Sequence, residues 1–318
     1  MNKLLENVRF VVENSEFVKL NTDAIVAFAK TFKHEHINHW WNSSPVDLSS
    51  LNDDEKLHFL LVFNSISFCY WGEPKWTINY KGKQIDGSFG MIAAIKRSID
   101  SEIPIFNAEF LSNISKKDFD LILQGNTQIP LFEERLKIIH EVGSVLVNKF
   151  QGKFSNIIKK AENDSIKLLN LIVNNFPSFN DFSVFSGKEV YFYKRAQLLV
   201  ADIYQVFNGK NYGNLKNITE LTACADYKLP QALLKLGIFL YSPQLANKIN
   251  AKIQIPKNSK EEIEIRANTI WAVELIKQEI KKKIKDIESI HVNDHLWLST
   301  QIKSPNNKPY HRTTTTNY

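Results

Sequence analysis

The stretch Phe192 to Leu234 decides how this chain is read: F-Y-K-R-A-Q-L-L-V-A-D-I-Y-Q-V-F, a glycine-containing connector, then L-T-A-C-A-D-Y-K-L-P-Q-A-L-L. Leu198, Val200, Ala201, Ile203 and Val206 recur at a spacing that lines the buried side of a helix between Tyr191 and Phe207, with Gly209 beyond it as a stop. Lys194 and Arg195 fall in the first turn, the end where the helix dipole favours acids, so two cations there point to an anionic partner. Asp226 follows in an Ala-Asp-Tyr turn just before Pro230, which opens another helix. A carboxylate held between two helix ends is well placed to serve as a catalytic charge.

With 318 residues, 43% of them apolar, the chain has ample material for a soluble core. No apolar run approaches the ~18 residues of a membrane span. Lys3 is followed by no long apolar segment, and Glu6, Glu13 and Glu16 come soon after, which argues against a secretory signal. Cys69 and Cys224 are the only cysteines, too few for a disulfide framework or a cysteine-based zinc site, and they fit a reducing, cytoplasmic setting. The formal charge of +6 is spread along the chain and carried mostly by lysine, as on an ordinary solvated surface. Lys281-Lys282-Lys283 ends a helix, where cations suit the dipole.

Asn21-Thr22-Asp23 caps a helix bearing Ile25, Phe28, Ala29 and Phe32 on one face. It stops in the polar stretch Lys33 to Ser44, whose His34, Glu35, His36 and His39 invite a metal reading. The pattern H-E-x-x-H fails because Asn38 stands where its second histidine belongs, so a solvated loop or one substrate-contacting histidine is the expectation, with no metal. Asn52 to Trp71 reads as one helix. Trp76 to Tyr80 and Lys83 to Ile85 flank Lys81-Gly82 as a hairpin, and Asp86-Gly87-Ser88 leads into a helix around Met91 to Ile99. Ser115 and Asp118 cap the next helix. Pro130 opens a long amphipathic one through Phe150, where Gly143 admits a close neighbour, and Phe154 to Asn175 reads as another. Ser178 to Lys188 reads as a loop. Ser242-Pro243 starts a short helix, Ser259 and Glu262 cap a long one, and Asn293 to Ile302 forms the last. The tail Pro309 to Tyr318 is polar and reads as disordered. The fold expected is mainly α, a single domain over residues 1–318 with a small β-hairpin.

Several blocks, taken together and in order, resemble the queuosine salvage family: S-F-C-Y-W ending at Trp71, P-L-F-E-E-R from Pro130, N-K-F-Q-G-K-F from Asn148 and F-P-S-F from Phe176. The series continues with F-Y-K-R-A-Q-L-L-V-A-D from Phe192, A-D-Y-K-L-P-Q from Ala225, E-I-R at Glu264 to Arg266, and H-R-T near the end. The resemblance implies a fold akin to the helix-hairpin-helix DNA glycosylases and hydrolysis of queuosine 5′-monophosphate, releasing queuine for reinsertion into transfer RNA. It further implies that Asp226 is the catalytic aspartate and Lys194 the active-site lysine. Two blocks depart from the family pattern. N-F-x-F-W reads Ser67-Phe68-Cys69-Tyr70-Trp71 here, and the base-holding D-Y-Y-L-W-D reads Asn293 to Leu298, leaving Asp294 next to the first lost carboxylate.

Breaking a ribosyl C–N bond builds positive charge on the sugar, so a carboxylate is needed near C1′. Asp226 can stabilise that charge, orient the water or attack directly. Lys194 can bind the 5′-phosphate, pair with Asp226 or assist the water. A cationic amine on the base calls for a carboxylate, with Asp86, Asp202 and Asp294 as candidates. Tyr70, Trp71 and Tyr227 are candidates to stack on the heterocycle, and Asn293 to contact it. His311 and Arg312 become phosphate ligands if the tail folds back. The expected partner is a free nucleotide, with no cofactor, no membrane and no stable nucleic-acid complex. The competing readings are a DNA or RNA glycosylase and a non-enzymatic nucleic-acid-binding helical protein. Against them, Gly209 to Gly213 has the wrong spacing for a phosphate-gripping hairpin, and no basic stripe accompanies it.

Overall fold

The helical periodicity of the sequence becomes fourteen α-helices and three two-stranded antiparallel sheets among residues 3–302 and 307–318, which a computed structural model describes. The chain begins α1 (Lys3–Glu13), β1 (Val18–Leu20), α2 (Thr22–Thr31), α3 (Asp53–Ser65), β2 (Thr77–Tyr80), β3 (Lys83–Asp86) and α4 (Gly87–Asp100). It continues α5 (Ala108–Asn113), α6 (Lys116–Leu123), α7 (Phe132–Phe150), α8 (Ser155–Lys160), α9 (Ser165–Asn175), β4 (Phe182–Phe185), β5 (Lys188–Tyr191) and α10 (Lys194–Val206). The last third holds α11 (Lys228–Lys235), β6 (Phe239–Tyr241), α12 (Pro243–Asn250), α13 (Lys260–Lys281) and α14 (Ser289–Ser299). No helix among the described residues is long and apolar enough to cross a membrane.

The capping residues set many of these starts. Asn21, Asn52, Ser115, Asp164, Ser242 and Ser259 each accept a backbone N–H from the first turn of the helix that follows. Lys81-Gly82 turns the β2–β3 hairpin with φ of 49° and 78°, as its sequence predicts. A Cβ on Gly143 would lie 2.2 Å from the Ser112 backbone nitrogen, so α5 packs directly on the backbone of α7 there. The apolar faces form two clusters. One gathers α3, α4, α7, α9 and α10; the other gathers α1, α2, α11, α12, α13 and α14.

Several expectations need correction. The helix read over Asn52 to Trp71 stops at Ser65, and the segment from Ser67 to Tyr70 runs buried and non-helical. Its carbonyls are satisfied by a cation from elsewhere: Arg135 donates to the Ile66, Phe68 and Cys69 oxygens while its guanidinium sits 4.2 Å over the Phe68 ring. The helix read over Phe154 to Asn175 is two, because Glu162 and Asn163 adopt left-handed φ of 53° and 57° before Asp164 caps α9. Part of the loop read over Ser178 to Lys188 is the β4–β5 hairpin. The tail is ordered and buried: His311, Thr313 and Tyr318 are each no more than 2% exposed. Backbone bonds hold it, Ile255 N–H to the Arg312 oxygen at 2.8 Å and Cys69 N–H to the Tyr318 oxygen at 2.9 Å.

The described residues include three buried arginines, Arg135, Arg195 and Arg266, and each ties down backbone or a carboxylate that would otherwise be stranded. Arg195 donates to the Ser65 and Ser178 oxygens, so the second cation of the α10 first turn serves the scaffold rather than an anionic partner. Arg266 forks onto Asp181 at 2.9 and 2.5 Å, and its guanidinium lies 4.0 Å from the ring centre of Phe192 and 4.6 Å from that of Tyr318. Replacing Arg266 with alanine strands Asp181 as an unpaired buried charge and is expected to cost about 3–5 kcal/mol. Urea unfolding measures this directly, and a loss below about 1 kcal/mol would show that the pair is dispensable.

Candidate active site

Tyr193 and Trp297 pack against both apolar clusters, and a two-lobed cleft lies in the seam they mark. Ser88, Lys194, Asp226 and Trp297 line both lobes. The first lobe is acidic, walled by Trp40, Leu198, Cys224, Asn293 and Asp294. The second carries the cations Lys75 and Lys228 beside Tyr70, Asp86 and Tyr227.

Lys194 begins α10 directly after Tyr193, whose left-handed φ of 49° turns the chain out of β5. The Lys194 backbone N–H meets Asp181 Oδ2 at 3.3 Å, so the Arg266–Asp181 pair also sets where α10 starts. Asp226 lies just before α11, and its Oδ1 accepts the N–H groups of Lys228 at 2.7 Å and Leu229 at 3.0 Å. The capping role and the cleft-lining role therefore coexist in one carboxylate. One oxygen fixes it in place, and Oδ2 accepts no hydrogen bond from the described residues. Burial raises the Asp226 carboxyl above the usual aspartate range, and among the opposing effects the Lys194 charge is the largest. Both side chains are buried, Lys194 6% and Asp226 8% exposed, so their mutual field is weakly screened.

In the acidic lobe, Asn293 Oδ1 accepts the Cys224 N–H at 2.9 Å and Asn293 Nδ2 donates to Asp294 Oδ1 at 3.1 Å. Asp294 Oδ2 accepts Gln205 Nε2 at 2.7 Å and the Trp40 N–H at 3.3 Å. The Trp40 indole donates Nε1 to Asp202 Oδ1 at 2.9 Å and meets Trp297 edge-on at 5.3 Å. Two carboxylates thus pin the Trp40 wall. In the other lobe, Lys75 pairs with Asp86 at 2.7 Å, and Tyr227 packs on Tyr310 with ring centres 4.8 Å apart. Tyr70 is buried there, its hydroxyl donating to Ser67 Oγ at 3.1 Å, and burial pushes that hydroxyl up to about 12.

Of the residues singled out from sequence, the cleft brings together Asp226, Lys194, Tyr70, Asp86, Tyr227, Asn293 and Asp294. It does not include Asp202, Trp71, His311 or Arg312. Asp202 is fully buried behind Trp40, where Asn64 Nδ2 also donates to its Oδ2 at 2.7 Å. Trp71 donates Nε1 to the Thr313 oxygen. His311 is held by Tyr318 and pushed down to about 3 by burial, which leaves it uncharged, and Arg312 pairs with Glu73 at 2.6 Å. Trp40, Lys75, Lys228 and Cys224 also line the cleft, and the sequence reading assigns none of them to the site. Trp40-Trp41 within a polar stretch was the available signal, since adjacent tryptophans rarely sit in a solvated loop. His36 packs on His295 with ring centres 4.9 Å apart, and no three His, Cys, Asp or Glu among the described residues are grouped to hold a metal.

A family model described as queuosine salvage protein matches residues 48–318. A Sphaerobacter thermophilus protein named queuosine 5′-phosphate N-glycosylase/hydrolase is 38% identical, over 99% of this chain and 97% of its own. Proteins of the same name from Mus musculus and Schizosaccharomyces pombe are 34% and 32% identical, each over 97% of this chain and 96% and 94% of their own.

Burial pushes the Asp202 carboxyl up to about 7 from an ordinary 3.8. The folded chain therefore holds a proton that the unfolded chain releases, and the stability this contributes is complete below about pH 4 and is lost as pH rises through about 7. The unfolding free energy of the wild type, taken relative to Asp202→Asn, is expected to fall as pH rises across that window. A pH-independent difference in urea unfolding would contradict it.

Proposed function

The chain belongs to the queuosine salvage family, and from that premise we propose that its cleft hydrolyses the N-glycosidic bond of queuosine 5′-monophosphate, releasing queuine or a related 7-deazaguanine base for reinsertion into transfer RNA. The observation that carries this reading is the convergence of Asp226 and Lys194 where an acidic lobe and a basic lobe join. A nucleotide with a cationic base and an anionic phosphate matches that polarity, with its anomeric carbon at the junction.

Asp226 Oδ2 faces the ribose as positive charge develops at C1′, and the capping bonds to Oδ1 hold the carboxylate so that no reorientation is needed in the transition state. The Lys194 charge opposes the rise that burial imposes on that carboxyl. The 5′-phosphate lies in the basic lobe, near Lys75, Lys228 and the first turn of α4, whose N-cap Asp86 makes no side-chain capping bond and leaves backbone N–H groups for an anion. The base enters the acidic lobe against the wall formed by Trp40 and Trp297, with Asn293 in contact and Asp294 as counter-ion for its amine. Asp294 suits that role better than Asp86, whose charge Lys75 already meets. The rigid partners of Asp202 make it a positioning residue for Trp40.

The same reading takes residues 1–318 as one unit, related in architecture to the helix-hairpin-helix DNA glycosylases, as the family resemblance implies. Cys69 and Cys224 are free and buried, which suits a cytoplasmic enzyme.

The test is to incubate the purified protein with queuosine 5′-monophosphate and with queuosine and follow free base by mass; release from the monophosphate is expected to be the faster. Asp226→Asn is expected to lower kcat about a thousandfold with substrate still bound. Near-normal turnover by the folded variant would remove Asp226 from the mechanism. The acid limb of kcat/KM should lie above the ordinary aspartate range and move further up in Lys194→Met, because the charge holding the carboxylate down is gone. An unmoved limb would separate the two groups.

A further inference from the structure

Of the four residues that line both lobes of the cleft, Lys194 and Asp226 are the charged pair of the proposed reaction and Trp297 is an aromatic wall. The fourth, Ser88, is the one with a hydroxyl, and the mechanism above gives it no part. It is the second residue of α4, brought to the junction where Gly87, at a left-handed φ of 59°, turns the chain out of β3. Its neighbour Phe89 anchors that turn against the acidic lobe, with ring centres 5.9 Å from Trp40 and 5.4 Å from Trp297.

A serine in or beside a helix ordinarily spends its hydroxyl on the backbone. Ser65, Ser98 and Ser112 each donate to the carbonyl three residues back, and Ser115 and Ser259 each accept an N–H of the helix they cap. No backbone group among the described residues bonds Ser88 Oγ, and Asp86 rather than Ser88 holds the N-cap position of α4. The Ser88 hydroxyl meets that of Tyr70 instead. Tyr70 donates its own proton to Ser67 Oγ at 3.1 Å, so the proton shared by Tyr70 and Ser88 comes from Ser88. Ser88 Oγ is left as an acceptor without a donor, in a residue that lines the junction.

A nucleotide with its base in the acidic lobe and its phosphate in the basic lobe places its sugar at that junction. C2′ is bonded to the anomeric carbon, so the 2′-hydroxyl is the sugar hydroxyl nearest the reacting centre. Lys194 has only protons to offer it, and Asp226 Oδ1 is taken by the Lys228 and Leu229 N–H groups.

We propose that Ser88 reads the sugar: its Oγ accepts the 2′-hydroxyl proton and selects ribonucleotides over 2′-deoxyribonucleotides. The proposal deepens the nucleotide-cleaving reading above and rests on it. A 2′-hydroxyl withdraws electrons from C1′ and so opposes the charge that develops there. An acceptor that draws on its proton eases that opposition, and the bond tightens as the glycosidic bond breaks.

The experiment measures kcat/KM for base release from queuosine 5′-monophosphate and from its 2′-deoxy counterpart, in the wild type and in Ser88→Ala. The deoxy bond is intrinsically easier to break, and this cancels when each substrate is compared only with itself across the two proteins. Ser88→Ala is expected to lower kcat/KM about tenfold with the ribonucleotide and no more than about twofold with the deoxynucleotide. Each protein meets both substrates in one preparation, so the fraction folded drops out of the comparison. A deoxynucleotide that is bound without turnover is scored by its inhibition constant. Equal losses with the two substrates, as a structural role would give, or no loss with the ribonucleotide, overturn the proposal and leave the function reading standing. If the wild type releases base from neither nucleotide, the function reading itself fails and takes this proposal with it.

Discussion

The buried pair of Arg266 and Asp181 is the constraint on which the site depends. Asp181 accepts the guanidinium fork with its carboxylate and the Phe192 and Tyr193 N–H groups with its backbone oxygen. The cation it meets is packed against the rings of Phe192 and Tyr318. A single ion pair thus joins α13, the approach to β4, the start of α10 and the C-terminal tail. Taking both charges out of water is costly, and only a complete set of partners offsets it, so the segments are held in one arrangement. Lys194 inherits its position from that arrangement.

The same device recurs. Arg135 holds the unwound segment after α3, and Arg195 bridges the end of α3 to the turn before β4. Burial lowers both guanidinium groups to about 10, still above neutral pH, so both remain charged where they are. Glu264 plays the opposite part, its buried carboxylate accepting the N–H groups of Glu16, Phe17 and Val18 at the start of β1. Much of what makes the motif blocks recognisable, the arginines of P-L-F-E-E-R, F-Y-K-R and E-I-R, is this internal wiring rather than chemistry at the cleft.

Within that frame the cleft separates charge. Its basic lobe carries Lys75 and Lys228, its acidic lobe Asp294, and the Lys194–Asp226 pair stands between. Burial favours the protonated form of a carboxyl, and the charge of a neighbouring ammonium group opposes that, as Lys194 does for Asp226. Asp202 shows the contrast, since it has only neutral donors at hand and its carboxyl rises to about 7.

Local patterns in the chain carried much of the fold. Amphipathic spacing located the helices, capping side chains such as Ser115 and Ser259 marked their starts, and Lys81-Gly82 marked the first hairpin, because each depends on residues within one turn of one another. The sequence also singled out Asp226 and Lys194, through their places at two helix starts and through the motif blocks. What it left undecided depends on distant partners. A polar tail became core because Arg266 and the Ile255 and Cys69 backbones receive it, and a helix stopped at Ser65 because Arg135 satisfies the carbonyls it abandons. Trp40 became a wall of the cleft because Asp202 and Asp294, far along the chain, each take one of its N–H groups. Short-range propensity sets elements and their ends, whereas burial of a charge is resolved only where the folded chain supplies its partner.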